Sequence, residues 1–170
     1  MRKIKPVVLS ILEHPDFENT LEQIHDLPPQ KTINVLFSFL CSPHDSIKNN
    51  AVIAMGELVS TMAETDMEKA RVVMRRLIWS LNEESGWIGW GSAEAMGEIM
   101  ARNEMLAREF HNLLISFVTE GNNNYLLYDK LREEVIRGLK RLSQVRPQLV
   151  KEVQHLLKKE EDSVIDLKHS

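Results

Sequence analysis

One short phrase occurs twice in this chain. Ala54-Met55-Gly56-Glu57-Leu58 returns, 41 residues further on, as Ala95-Met96-Gly97-Glu98-Ile99. The same offset carries Ile47 onto Ile88, and Leu36 and Leu40 onto Leu77 and Leu81. Leu131-Arg132, Val135, Gly138-Leu139 and Leu142 repeat the pattern with an offset of 43, and the loop Gly121-Asn122-Asn123-Asn124 absorbs the two extra residues. A fixed period of this length is the mark of a two-helix unit that cannot bury its apolar face alone and so stacks on its neighbours.

The breakers agree with that reading. Pro15-Asp16 opens a helix to about His25, and Pro28-Pro29 ends it and starts the next. Cys41-Ser42-Pro43 closes that helix, and Asp45 caps one from about Ser46 to Met62. Thr65 and Glu68 have capping-box spacing before an apolar-periodic run to Leu81. Ser85 and Asn103 are the caps expected for the two helices that follow. A helix from about Tyr125 to Gln144 comes after the Asn loop, and Pro147 opens the last one. No run of alternating β-branched residues requires a sheet. The expected fold is all-α, with about seven to eight helices in a single domain over 1–170. Its units fall at about 28–64, 65–103 and 104–145, with shorter helical caps at 7–27 and 146–162.

Ile47-Lys48, Ala51, Ala54-Met55-Gly56 and Leu58 resemble the second helix of the bacterial HEAT-like repeats, including those called PBS-lyase HEAT-like repeats. Leu131-Arg132, Val135 and Leu139 fit more loosely, and Gly89 replaces the basic residue in the middle copy. The resemblance covers roughly 28–145 and implies an α-α superhelix of the HEAT/armadillo kind. That fold hosts scaffolds, adaptors and a few enzymes, so it does not name a function.

A 100° step per residue sorts the second helices into faces. Ile47, Ala51, Ala54, Met55 and Leu58 share the core side. Asn49, Ile53, Gly56 and Ser60 lie opposite, and the offsets add Trp90, Glu94, Gly97 and Ala101, then Glu133, Arg137, Lys140 and Gln144. In a solenoid the second helices line one surface, usually the concave binding face. Asn49, Ile53, Trp87, Trp90, Glu94, Glu133 and Arg137 are therefore the expected partner-binding residues.

The stretch 85–97 holds four of the seven glycines and two of the three tryptophans. If Gly89, Gly91 and Gly97 were all helical they would cost on the order of 2–3 kcal/mol. Close approach of a neighbouring backbone or of a ligand must offset that cost. Trp90 with Glu94 one turn on can hold a cation, or a partner's Arg or Lys, through ring face and carboxylate. The alternative is that Trp87 and Trp90 pack against adjacent helices.

The rest of the chain narrows the function. The net charge of −4 argues against nucleic acid, which is gripped through a basic excess. The single cysteine, Cys41, permits no intrachain disulfide, so a reducing, cytoplasmic setting is expected. The apolar run after Met1-Arg2-Lys3-Ile4-Lys5 is too short for a signal peptide or a membrane span. Cys41 and His44 have metal-like spacing but too few companions, and no cofactor or metal is expected. No phosphate loop or nucleophile elbow occurs. The expected function is a non-catalytic protein-binding module, a scaffold or adaptor with a protein or peptide partner. The alternative is a HEAT-like enzyme, bilin-lyase-like or alkylpurine-glycosylase-like. The Trp90–Glu94 spacing is similar to the latter's aromatic and acidic groups, but the chain is acidic overall.

Overall fold

Every regular element in residues 3–82 and 89–158, the part of the chain that the computed structural model describes, is a helix. They run α1 (Ile4–Leu12), α2 (Phe17–Thr20), a 3-10 helix (Leu21–Asp26), α3 (Pro29–Leu40), α4 (Asp45–Thr65), α5 (Met67–Ser80), α6 (Ser92–Arg102), α7 (Glu104–Ser116) and α8 (Asp129–Val145). Short 3-10 turns at Pro147–Leu149 and Lys151–Val153 follow.

The local reasons are plain in most of them. In α3, Pro29 occupies the first turn, Ile33, Leu36 and Leu40 form one buried stripe, and the helix stops before Pro43. Asn103 Oδ1 accepts the backbone N–H of Leu106 at 3.0 Å and caps α7 as expected. The cap of α5 differs from expectation. Asp66, not Thr65, accepts from the N–H of Lys69 at 3.2 Å, because Thr65 is still the last residue of α4 and turns its hydroxyl back to Met62 O.

Three other boundaries moved. The helix expected over 15–25 divides into α2 and a 3-10 helix. α8 begins at Asp129 rather than Tyr125. The preceding residues bond elsewhere: Leu126 N–H donates to Phe117 O at 3.0 Å, and the Arg132 guanidinium donates to Leu126 O while lying over the Tyr125 ring. α6 begins at Ser92, and Gly89 and Gly91 precede it. Gly91 is its N-cap with φ +76°, the left-handed region in which L side chains are strained. The helix-interior cost expected of three glycines therefore falls on Gly97 alone. The expected cap Ser85 lies outside the described residues.

α3 packs on α4, α5 on α6 and α7 on α8, while the second members α4, α6 and α8 pack side by side. The repeated phrase sits at that contact. Ala54, Met55, Ala95 and Met96 are fully buried, as is Leu139 in the third copy. Gly97 and Gly138 bring α6 and α8 backbone to backbone. A Cβ built on Gly97 would stand 2.6 Å from the Cα of Gly138, and one on Gly138 would stand 2.5 Å from Ala93 O. Gly56 and Ala101, placed by periodicity on the open face with Gly97, are likewise buried, because the neighbouring second helix covers them.

Alanine would relieve the conformational cost of a helical glycine by about 1 kcal/mol. Here it must instead push two backbones apart. Gly97→Ala and Gly138→Ala are each expected to destabilise the fold by about 1–3 kcal/mol in urea unfolding. Gly56→Ala should also destabilise, since its Cβ would press on the inner carbons of Glu98, a buried side chain held by Arg102 and Arg141.

Candidate functional site

Trp90 and Glu94, the pair singled out for a ligand, are both engaged by their own chain. Trp90 lies just before α6, packs partly against the core, and sets its ring 5.8 Å from that of Tyr128 at 59°, a tilted aromatic contact. Glu94, in the first turn of α6, is 16% exposed, and its Oε1 lies 3.6 Å from Lys48 Nζ and 3.4 Å from Arg137 Nη2. The place expected to receive a foreign cation thus holds two internal ones.

Lys48 leads on to a carboxylate that the sorting of faces missed. Glu134 is 2% exposed, ion-pairs with Lys48 across 86 positions of chain, and accepts the Gly91 N–H at 2.8 Å. Arg137 stands 3.9 Å from it. One network therefore joins α4, the N-terminus of α6, and α8. A carboxylate this deep is tolerable only with its partners in place. Lys48 was visible as the basic residue of the repeat. Sorting the open face passes over Glu134, although the 100° step sets it with Leu131 and Gly138 on the buried side of α8 and its neighbour Glu133 on the exposed side.

A second row of charge runs along the same helices. Arg102 bridges Glu57 and Glu98 at 2.6 and 2.9 Å, Arg141 meets Glu98 at 2.7 Å, and His25 meets Glu57 at 3.0 Å. Glu57, Glu98 and Arg141 are equivalent positions of the repeat; Glu98 meets Arg141 directly, whereas the like charges of Glu57 and Glu98 are bridged by Arg102.

A cleft of about 1250 Å³ opens between the N-terminal helices and the second helices. Ile47, Asn50 and Ile53 of α4 line it together with Glu98, Arg102, Arg141 and Gln144, and Glu13, Asp16 and Glu18 contribute from the facing segment. Asn50 donates to Leu12 O at 2.8 Å and holds α1 against α4. Of the expected binding residues, Ile53 lines this cleft. Asn49 and Glu133 are exposed outside its lining, Glu94 and Arg137 belong to the network just described, Trp90 packs against Tyr128, and Trp87 lies outside the described residues. Gly89 stands against the backbone of Ser80, Gly91 against Leu40 O, and Gly97 against Gly138, so the close approaches at these three are to the chain's own backbone.

Among the described residues, no three His, Cys, Asp or Glu side chains gather as a metal site, and no helix is long and apolar enough to cross a membrane. Comparison with protein-family models, with curated proteins and with solved structures returns no match.

Removing one partner of a buried ion pair strands the other. Lys48→Ala is expected to cost about 1.5–3 kcal/mol in urea unfolding, because buried Glu134 loses its nearest partner and retains the Gly91 N–H and the more distant Arg137. Lys48→Met combined with Glu134→Gln should cost clearly less than Lys48→Ala, an ordering that a double-mutant cycle reads directly.

Proposed function

We propose that this chain is a HEAT-like superhelical module that binds a protein or peptide partner in the cleft between its N-terminal helices and its second-helix face, and that it catalyses no reaction. The observation that carries the reading is the cleft itself. It offers apolar contact at Ile47 and Ile53, carboxylates at Glu13, Asp16 and Glu18 on one bank, and on the other the guanidinium groups of Arg102 and Arg141, each partly engaged by Glu98. Apolar contact with charged rims of both signs suits an amphipathic segment and fixes its direction. Stacked helix pairs whose second members lie side by side support the superhelical part of the proposal. The single cysteine and the absence of any described membrane-spanning helix fit a scaffold or adaptor working in the cytoplasm.

The geometry at Glu94 favours binding over a glycosylase-like reaction. A carboxylate held by Lys48 and Arg137 is not available to stabilise a developing positive charge on a substrate. The acidic balance of the chain points the same way, since duplex binding rests on phosphate neutralisation.

The proposal is tested by affinity capture followed by quantitative mass spectrometry. Ile53→Glu places a charge on the apolar part of the cleft and is expected to abolish partner recovery while leaving the circular dichroism spectrum unchanged. Trp90→Ala is expected to retain the partners. Recovery undiminished by Ile53→Glu in a folded protein refutes the cleft as the binding site.

A further inference from the structure

The outer surface of the first helices carries a feature that the cleft does not use. On α5, Val72, Arg76 and Trp79 recur at i, i+4 and i+7, so they form one stripe, and Phe37 of α3 lies beside it. Trp79 is 59% exposed and Val72 44%, whereas Ala70, Val73, Met74 and Leu77 on the other side of α5 are buried. Together with Arg75, these residues border a shallow hollow of about 540 Å³. A large aromatic left in water beside arginine is the composition of an interface anchor.

The charges at this place are unevenly satisfied. Arg75 is held by Glu68, and that guanidinium keeps the Glu68 carboxyl below its usual range. Arg71 is held by Glu109 and Glu68. Arg76 is different. Its guanidinium stacks over the Phe37 ring at 4.1 Å from the centroid and donates to the neutral Asn34 Oδ1 at 2.7 Å, and among the described residues no carboxylate stands within ion-pair distance of it. Partial burial pulls its pKa down from the usual value, the sign of a cation partly removed from water without an anion to compensate. Stacking also fixes the plane of the fork, so its remaining N–H donors are pre-aimed.

We propose that this hollow is a second docking site, independent of the cleft, for an acidic peptide segment that seats an apolar side chain against Trp79, Val72 and Phe37 and sets a carboxylate on Arg76. Charge complementarity selects this occupant. The hollow offers a cation, Arg76, with no carboxylate partner among the described residues, beside apolar surface, and a carboxylate one turn from a large apolar side chain satisfies both at once.

The test is a random-peptide phage library panned on the immobilised full-length chain, followed by fluorescence anisotropy with the enriched peptides made synthetically. Enriched peptides should place Asp or Glu within four residues of Leu, Ile, Phe or Trp. Trp79→Ala and Arg76→Gln should each weaken their binding by about tenfold or more. Both side chains sit on the surface, so the variants should keep the wild-type circular dichroism, and Trp79→Ala carries the test if Arg76→Gln does not fold. Ile53→Glu, which strikes the cleft, should leave peptide binding unchanged. No enrichment, enriched peptides without carboxylates, or equal binding to Trp79→Ala would each overturn the proposal. So would a wild-type dimer in sedimentation that Trp79→Ala dissolves, because a second copy would then be the occupant.

Discussion

The contact between the backbones of α6 and α8 constrains everything around it. Two helices can approach this closely only where neither carries a Cβ at the crossing, and Gly97 and Gly138 supply that on facing sides. Glu134 lies one turn before Gly138 and Arg137 immediately before it, and at the start of α6 lie Gly91 and Glu94. The hydrogen bond from Gly91 N–H to Glu134, 2.8 Å long, joins the start of α6 to α8 one turn from this crossing. The close approach thus lies beside the bonds on which a buried carboxylate depends.

Lys48 then joins α4 to that crossing, and a second row of alternating charges from Glu57 to Arg141 follows it along the same helices. The two rows consume charge that a reading of the helix faces assigns to a ligand. They also tie the three second helices together, because the pairs Lys48–Glu134, Glu94–Arg137, Glu57–Arg102 and Glu98–Arg141 each join two of them. The N-terminal helices are joined to this body by lighter links, such as the bond from Asn50 to Leu12 O and the contact of His25 with Glu57. The cleft lies along that lighter seam, where a partner segment can be admitted without breaking the buried network.

Trp90 shows why a residue conspicuous in sequence is not by that fact a binding residue. The glycines around it suggest a ligand because glycine in a helix has a cost. Two of them stand before the helix, one at a positive φ that its turn requires. The ring of Tyr128, brought in from the segment before α8, fills the space beside the indole. Trp79, by contrast, draws no attention in the sequence, since it continues an ordinary helical run. It stands out only when α3 places Phe37 beside it and the other side of α5 is seen to be buried.

By itself the sequence determined the all-helical class, the helix pairing and the buried stripes, because an i, i+3, i+4 pattern and a 41-residue period are local properties of the chain. It also carried Lys48 as part of the repeat and Ile53 as a candidate face residue. Only the tertiary structure decided which charges are internal, that Lys48 is the partner of Glu134, and that an open cleft lies against the N-terminal helices. Those outcomes depend on how closely the second helices approach. That distance is set by glycines facing each other across 41 positions of chain, a relation no local periodicity contains.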